Sequence, residues 1–580
     1  MIAREPQTPP AHDSRPIPRW ELVACVVLGL VVLAASQLPT ACGFRAEARG
    51  LHEDLVFNGA PATYADEAAT YWSWMRQARD GRFFLTDLYT TEDHPRNYVN
   101  MLWWLLGTVC RLTGWSVVAV YSGARVLLGA LLIVLLFRLA RRLFDRPGER
   151  LACFLVLLLG GGWEGLFRLL GPLPGVPRLG SPGWWMPEIS TFFTLMLFPH
   201  FLAGFACMIA GTLAMMSAWS TDPLPGARRA RSSALAGLAM ALLTFFHPYD
   251  AVSLMGALWT APLLFGLVER RWPWREWAQS AVASAVWLPS FLYNLAVFTA
   301  NPAMRAWDLQ NLMPTPIPKK LIICLGAGLV LSFVAMLAPR RLSRPQLVMA
   351  AWLLSTLVII HLPLRFQRRM MGGIQFPLAA LGVAGVALVV VPLAGALMRR
   401  LGRPWTAPDR AGAACLAVVA LMAPAWCATP PYLLRDEWAG VRAATYPAWL
   451  RKEEVAALKF LETSAPPDSR VLASYEMGNW LPPYTGLRSV LGHYALTIDS
   501  DAKKRDIARF FSAGEEEDAW RREILGRWKV SYVLHTEHER ALGAFDPSTR
   551  PWLSEVFAAG EDPARSVRLY AVGPLPAPAD

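Results

Sequence analysis

No two of the eight cysteines are spaced for a disulfide framework or a zinc site. Cys25, Cys110, Cys153, Cys207, Cys324, Cys415 and Cys427 lie in or beside apolar segments, where a thiol behaves as a small apolar group. Cys42 stands alone. No small-residue cleavage site follows the first apolar stretch, which is also too long for a removable signal. It is therefore read as a membrane span. No internal repeat of the kind that marks many transporters is visible. Acidic residues are in the minority, 44 against 56 Lys and Arg, for a net charge of +12. That surplus would suit nucleic acid if it formed one face. Instead the arginines fall in short clusters between apolar runs, which excludes a nucleic-acid partner.

What the chain has in quantity is apolar length. Its 580 residues are 54% hydrophobic, include 25 Trp and have a mean hydropathy of +0.31. Runs of roughly 18 or more apolar residues span ~30 Å of hydrocarbon as helices. Such runs fall near 20–37, 116–137, 151–170, 190–218, 232–247, 251–268, 277–299, 321–338, 346–362, 373–398 and 411–428, with a further apolar segment at 97–113. The expectation is an all-α polytopic membrane domain of about 11–12 transmembrane helices. Basic clusters occupy short loops: Arg138/Arg141/Arg142/Arg146/Arg150, Arg228/Arg229/Arg231, Arg270/Arg271/Arg275, Arg340/Arg341/Arg344 and Arg399/Arg400/Arg403/Arg410. The positive-inside rule makes these loops cytoplasmic, together with Arg4, Arg15 and Arg19 of the N-terminus. That holds only if 97–137 crosses once, with 97–113 re-entrant or along the interface. The C-terminal region is then outside, and the expected location is a bacterial inner membrane.

Three parts are expected: a cytoplasmic tail 1–19, a membrane domain 20–428 that includes the outer loop 38–96, and an extracytoplasmic soluble α/β domain 429–580. In the outer loop an amphipathic helix over 66–80, with Tyr71, Trp74, Met75 and Ala78 on one side, would lie at the interface. The C-terminal part shows helical patterns near 452–463, 501–511 and 517–527 and β-rich runs at 470–474, 530–535 and 566–572. Pro574–Asp580 reads as a frayed end.

The chemistry sits in the outer loops. Asp66-Glu67, just past the first span, places two carboxylates beside a bilayer, where dragging either into hydrocarbon costs several kcal/mol. Such a pair faces a substrate, a metal or a proton, or else starts an amphipathic helix whose dipole favours acids. Arg365, Arg368 and Arg369 break the charge rule on the outer side and call for an anion. Guanidinium matches phosphate with two parallel hydrogen bonds, the alternative being headgroup snorkelling. Lys319 and Lys320 add to the same field.

These motifs resemble the GT-C glycosyltransferases, integral membrane enzymes that use polyprenyl-phosphate-linked sugars. The resemblance covers about 20–400 and is carried by Asp66-Glu67-Ala-Ala-Thr-Tyr71, Arg79-Asp80-Gly81-Arg82, His94-Pro95-Arg96-Asn97 and Arg125. Protein O-mannosyltransferases and lipid A aminoarabinose transferases usually carry His-Pro-Pro where this chain has His-Pro-Arg. The resemblance implies transfer of a sugar from a polyprenyl-phosphate donor to an extracytoplasmic glycan, lipid or protein. Asp66 would be the general base, with Glu67 positioning the acceptor or raising the basicity of Asp66. The arginines would stabilise the leaving lipid phosphate. No nucleotide-sugar domain is evident, as a carrier-linked donor implies.

Other candidates stay open. Glu92-Asp93-His94 either binds a divalent cation such as Mg or Mn, as in oligosaccharyltransferase relatives, with Asp66 a further ligand, or caps the segment 97–113. Glu164 is an acid near the outer end of a membrane segment. His247-Pro-Tyr-Asp250 forms a turn in which Asp250 caps a helix or takes part in the site. Tyr475-Glu476-Met-Gly478-Asn-Trp480, with Arg488 and then Gly492-His493, is similar to the acceptor-facing motif of oligosaccharyltransferase catalytic subunits. Glu476, Trp480 and Arg488 are its acceptor-side candidates, unless these aromatics are core. The competing function is a non-catalytic transporter or an assembly scaffold for lipid-linked sugars.

Overall fold

Prolines and glycines decide where the apolar runs start and break. The computed structural model describes residues 17–171, 182–223, 225–402, 410–512 and 514–574. Arg4, Arg15, Arg403 and the end 575–580 lie outside the described residues. Among the described residues, seven helices are long and apolar enough to cross a membrane: Arg19–Ala48, Val117–Leu143, Pro199–Ala218, Pro248–Glu269, Trp274–Ala300, Pro318–Met336 and Gln375–Arg400. Three of them begin on a proline, whose missing N–H costs nothing in the first turn. The run 151–170 is two helices, Pro147–Leu159 and Glu164–Leu170, bent by 79°; counted as one span it brings the number to eight. The run 190–218 is interrupted at Phe198, which is extended (φ −134°, ψ 125°) because it precedes Pro199.

The other expected runs give Gly226–Phe246 and two shorter apolar helices, Arg344–Ile359 and Ala411–Leu421. Segment 97–113 forms Met101–Thr113, started by the Asn100 side chain accepting from the amides of Leu102 and Trp103 and ended by Gly114 at φ 74°. Its 13 residues rise about 20 Å, short of the ~30 Å hydrocarbon core.

The chain folds into two compact units, one of 1–37, 125–292 and 313–435, the other of 38–124, 293–312 and 436–580. In the first, the arginine-rich loops are knitted to one another. Arg344 pairs with Glu269 (2.6 Å) and Glu276 (3.1 Å) and donates to the Trp219 carbonyl (2.6 Å). Arg229 donates to the carbonyls of Ala218, Ser220 and Asp222, and Arg150 pairs with buried Glu21 at 2.5 Å.

In the second unit, β1 (Leu55–Phe57) pairs antiparallel with β2 (Trp449–Arg451). The remaining strands are β3 (Arg470–Leu472), β4 (Arg488–Ser489), β5 (Tyr532–His535), β6 (Leu553–Ala559) and β7 (Val567–Val572). They form a mixed sheet of order β4-β3-β5-β7-β6, parallel across β4-β3-β5 and antiparallel beyond. Ile507, Phe510, Phe511, Ile524 and Leu525 cover it.

The acid-pair helix (Ala65–Arg79) departs from expectation. An amphipathic helix at an interface keeps one face wet, but here residues 68–78 are buried without a break. Two features allow it. Gly107 admits close packing of Met101–Thr113, since a Cβ there would overlap Met75 and Ala78. Its two longest buried polar side chains are paired: Arg76 pairs with Glu462 at 2.9 Å and donates to the Tyr484 carbonyl, and Gln77 exchanges two 2.9 Å hydrogen bonds with the Thr86 backbone.

Candidate active site

The acid pair occupies the first turn of its helix, where the free amides and the dipole favour negative charge. The chain enters through a 3-10 turn, Ala62–Tyr64, gripped by buried Glu437, which accepts from the amides of Ala62 (2.6 Å) and Thr63 (3.2 Å) and from the Thr63 hydroxyl. Both carboxylates are half-buried and each is held by neighbours. Asp66 Oδ1 accepts from the Glu67 amide at 3.0 Å, and Asp66 Oδ2 from the Tyr475 hydroxyl at 3.2 Å. Glu67 Oε2 accepts from the Tyr71 hydroxyl at 3.1 Å, and Oε1 lies 3.4 Å from His493 Nε2. Tyr71 is itself fixed by stacking on Trp103 at 4.7 Å. Burial and then the Asp66 charge raise the pKa of Tyr475, so it stays a donor at neutral pH. Burial opposes charging of His493, but Glu67, then Asp66 and Asp87, outweigh it and hold its pKa above the ordinary value.

Glu92, Asp93 and His94 do not converge. Lys503 Nζ takes Glu92 at 2.8 Å, and although burial alone would raise this acid, the ammonium holds its pKa low. Asp93 is exposed and faces Arg470 at 3.0 Å, Arg488 at 3.8 Å and Lys529 at 3.7 Å. His94 accepts the Asp87 amide at Nε2 (3.1 Å), contacts the Glu92 carbonyl through Nδ1 (2.9 Å), and burial lowers its pKa. It staples a loop. Among the described residues the ligand-type group that comes within 4.8 Å is Glu454, Glu537 and His538, and Arg451 already pairs with Glu537 at 2.8 Å. Asp66, Glu92 and Asp93 therefore do not fit a divalent cation.

A residue that the sequence pattern passes over lies in this loop. Asp87 is 1% exposed, its Oδ1 accepts from the Tyr89 amide at 2.8 Å, and its Oδ2 has no hydrogen-bond partner. Burial raises its pKa from 3.8 to about 7, partly offset by that amide and by His493, Lys503 and Arg488. Thr86-Asp87-Leu88 reads as an ordinary polar loop, so nothing local announces it.

The Tyr475–Arg488 motif is internal. It forms a helix, Tyr475–Thr485, capped by the Ser474 side chain. Gly478 is obligatory because a Cβ would overlap the Leu491 carbonyl. Trp480 is fully buried against Trp72 at 5.8 Å, Glu476 is half-buried, and Arg488 donates to the Glu92 carbonyl at 3.1 Å. Tyr475 and His493, rather than the three acceptor-side candidates, touch the acid pair.

The first unit carries the arginine turn, a 3-10 segment Gln367–Met371. Arg368 is caged: its guanidinium lies 4.6 Å over Trp185, 2.8 Å from Met313 Sδ and 3.9 Å from buried Glu188. Arg369 is half-buried and Arg365 exposed. Lys319 and Lys320 are exposed in the first turn of Pro318–Met336. His247 and Asp250 pair at 3.0 Å in the interior, and the arginine turn docks on them: Ser253 donates to the Met370 carbonyl (2.6 Å), and a Cβ at Gly372 would overlap Asp250. Arg125 is buried and donates to Gln37 (2.9 Å) and the Met196 carbonyl (2.7 Å), tying helices together. Glu164 is buried at the 79° bend, accepting from the Gly183 amide at 3.2 Å.

By sequence, no family model and no curated protein matches this chain. By structure it is similar to the archaeal oligosaccharyltransferase AglB from Archaeoglobus fulgidus, solved with an inhibitory peptide and a dolichol-phosphate: TM-score 0.55, 12% identity, covering 96% of this chain and 74% of that one. It is similar also to the arabinofuranosyltransferase AftD from Mycobacteria: TM-score 0.52, 14% identity, 97% of this chain but 40% of that one. At such identities the likeness is one of fold, and the fold is that of GT-C glycosyltransferases.

Proposed function

We propose that this protein is a membrane glycosyltransferase that takes a sugar from a polyprenyl-phosphate carrier and hands it to an extracytoplasmic acceptor, with Asp66 as general base. One observation carries the reading: Asp66 is oriented by two neutral donors, an amide and a phenol, which aim a carboxylate without neutralising it. Such a group takes the proton of an acceptor hydroxyl or amide as that atom attacks the anomeric carbon and the lipid phosphate departs with the bonding electrons. Glu67 sets the turn that holds Asp66. Separately, in the first unit, Arg365, with Arg369, offers guanidinium to a polyprenyl phosphate, while Arg368 braces the turn. The GT-C fold, met in one solved structure together with dolichol-phosphate, supports this reading without naming the sugar or acceptor.

The test uses purified protein in nanodiscs with a panel of radiolabelled undecaprenyl-phosphate pentoses and hexoses and an envelope extract as acceptor. Asp66→Asn should lose ~10²–10⁴-fold in transfer while still binding undecaprenyl phosphate. Unchanged turnover in that variant would remove Asp66 from the mechanism.

A second reading draws on the bend at Glu164, where Trp163 donates to the Ile323 carbonyl (2.8 Å) beside Gly326 at φ 54°, a break inside Pro318–Met336. Broken helices that meet at a buried acid suit a transporter. Movement of a lipid-linked sugar across liposomes without any acceptor would favour it.

A further inference from the structure

We propose that His493 is a positioning residue for the acid pair, holding Glu67 through its Nε2–H. The proposal rests on Asp66 as base and adds what keeps it aimed. The acid-pair helix begins at Tyr64 with no side-chain cap, so its first turn lacks the usual fastening. It also carries two adjacent carboxylates that repel each other when desolvated. Yet the amide that orients Asp66 is that of Glu67, so the base is only as well placed as that turn. Glu67 is the fastening. One oxygen goes to Tyr71 on the same helix, and the other faces His493, more than 400 residues on in sequence, at 3.4 Å, an ion-pair distance at which the buried Nε2 has no closer hydrogen-bond partner.

The histidine is built for this contact. It is 3% exposed, and the Ala495 amide donates to Nδ1 at 3.3 Å, which leaves the proton on Nε2, toward Glu67. Its loop is closed by the amides of Leu496 and Thr497 on the His493 carbonyl (3.0 and 2.9 Å). The Thr497 hydroxyl accepts from Gly492 (3.0 Å) and donates to the Tyr89 carbonyl (2.8 Å). Gly492 has no alternative, since a Cβ would overlap the Tyr89 ring. Tyr494 stacks on the imidazole at 4.9 Å. The charged groups acting on it are Glu67 and Asp66 from the helix and Asp87 from the outer loop.

Two substitutions separate positioning from bulk. His493→Gln puts an amide nitrogen where Nε2 was, whereas His493→Asn reaches only the Nδ1 position. In the nanodisc transfer assay Gln should retain most of kcat. Asn should lose about ten- to a hundredfold with an unchanged KM for the carrier-linked donor, the usual effect of a displaced catalytic group. Both should melt near the wild-type temperature. Equal activity in the two variants, or losses that track melting temperature, would overturn the proposal. An arm independent of activity uses ¹⁵N-histidine NMR, with the His493 resonance assigned by its loss in His493→Gln. An Nε2–H tautomer whose pKa falls in Glu67→Gln is expected. An Nδ1–H tautomer, or indifference to Glu67→Gln, overturns the proposal. If the wild type transfers from no sugar in the panel, the transferase reading fails while this arm still decides the role of His493.

Discussion

Asp87 makes the sharpest demand on stability. Its pKa rises from 3.8 to about 7 because the carboxylate is buried with one oxygen unpartnered. The native state therefore holds a proton that the unfolded chain has already released above pH 4. Stability contributed by this site is complete below pH 3.8, declines as pH rises, and levels off above pH 7. At 1.36 kcal/mol per pH unit the loss amounts to about 4 kcal/mol. Asp87→Asn keeps the acceptor for the Tyr89 amide and removes the ionisation, but its NH₂ group meets no partner, a cost of about 1–3 kcal/mol. The variant should thus be slightly less stable than wild type near pH 4.5 and more stable by about 1–3 kcal/mol near pH 8.5. Thermal melting in detergent, followed by tryptophan fluorescence, should give curves that cross between those values. Each kcal/mol moves a domain of 150–250 residues by roughly 2–4 °C. Parallel curves would refute the reasoning, since they would mean that Asp87 titrates as an ordinary solvated acid.

The other predictions concern the arginine turn and the topology. Arg365→Ala should weaken undecaprenyl phosphate binding by about tenfold or more, as expected for a lost charge-assisted hydrogen bond, without changing the melting temperature. Arg365→Lys should restore only part, because ammonium lacks the two-pronged donor. Arg368→Ala should lower the melting temperature, because it empties the cage at Trp185 and strands buried Glu188; unchanged carrier affinity in both variants would reduce the turn to a headgroup anchor. A reporter active only in the cytoplasm, fused after Asp580, should be silent, and activity there would reverse the assignment of every basic loop.

The sequence made the membrane class legible because apolar length is a local property, and so are the prolines that start helices. The three strongest β-rich runs became β3, β5 and β7, whereas β4, at Arg488–Ser489, is too short to show a period. Tyr475–Thr485 escaped as a helix because Pro482 and Pro483 argue against one. Asp66-Glu67 stood out as a candidate because adjacent acids beside a bilayer need a reason. Its partners did not, since Tyr71 is one turn away but Tyr475 and His493 arrive through long-range packing that no window contains. The interface helix was misjudged for the same reason: Gly107 and Glu462, which let it be buried, are remote in sequence.

Those same contacts leave few acids in the second unit able to act as the base. A general base must be ionised at working pH, oriented, and not already spent on a cation. Asp87 fails on access instead, being 1% exposed and closed off from any acceptor. Glu92 fails the last, because Lys503 is 2.8 Å away and holds its pKa low. Asp93 faces Arg470 at 3.0 Å with two further cations within 4 Å. Glu67 is engaged on both oxygens, by Tyr71 and by His493, so it holds the turn better than it takes a proton. Glu437 is occupied by two amides and a hydroxyl at the entry to the helix. Asp66 differs in kind: its two contacts are neutral donors, and neither removes its charge. On the proposed reading the environments push neighbouring carboxylates toward separate roles, sealed in Asp87, paired in Glu92 and Asp93, fastening in Glu67 and basic in Asp66.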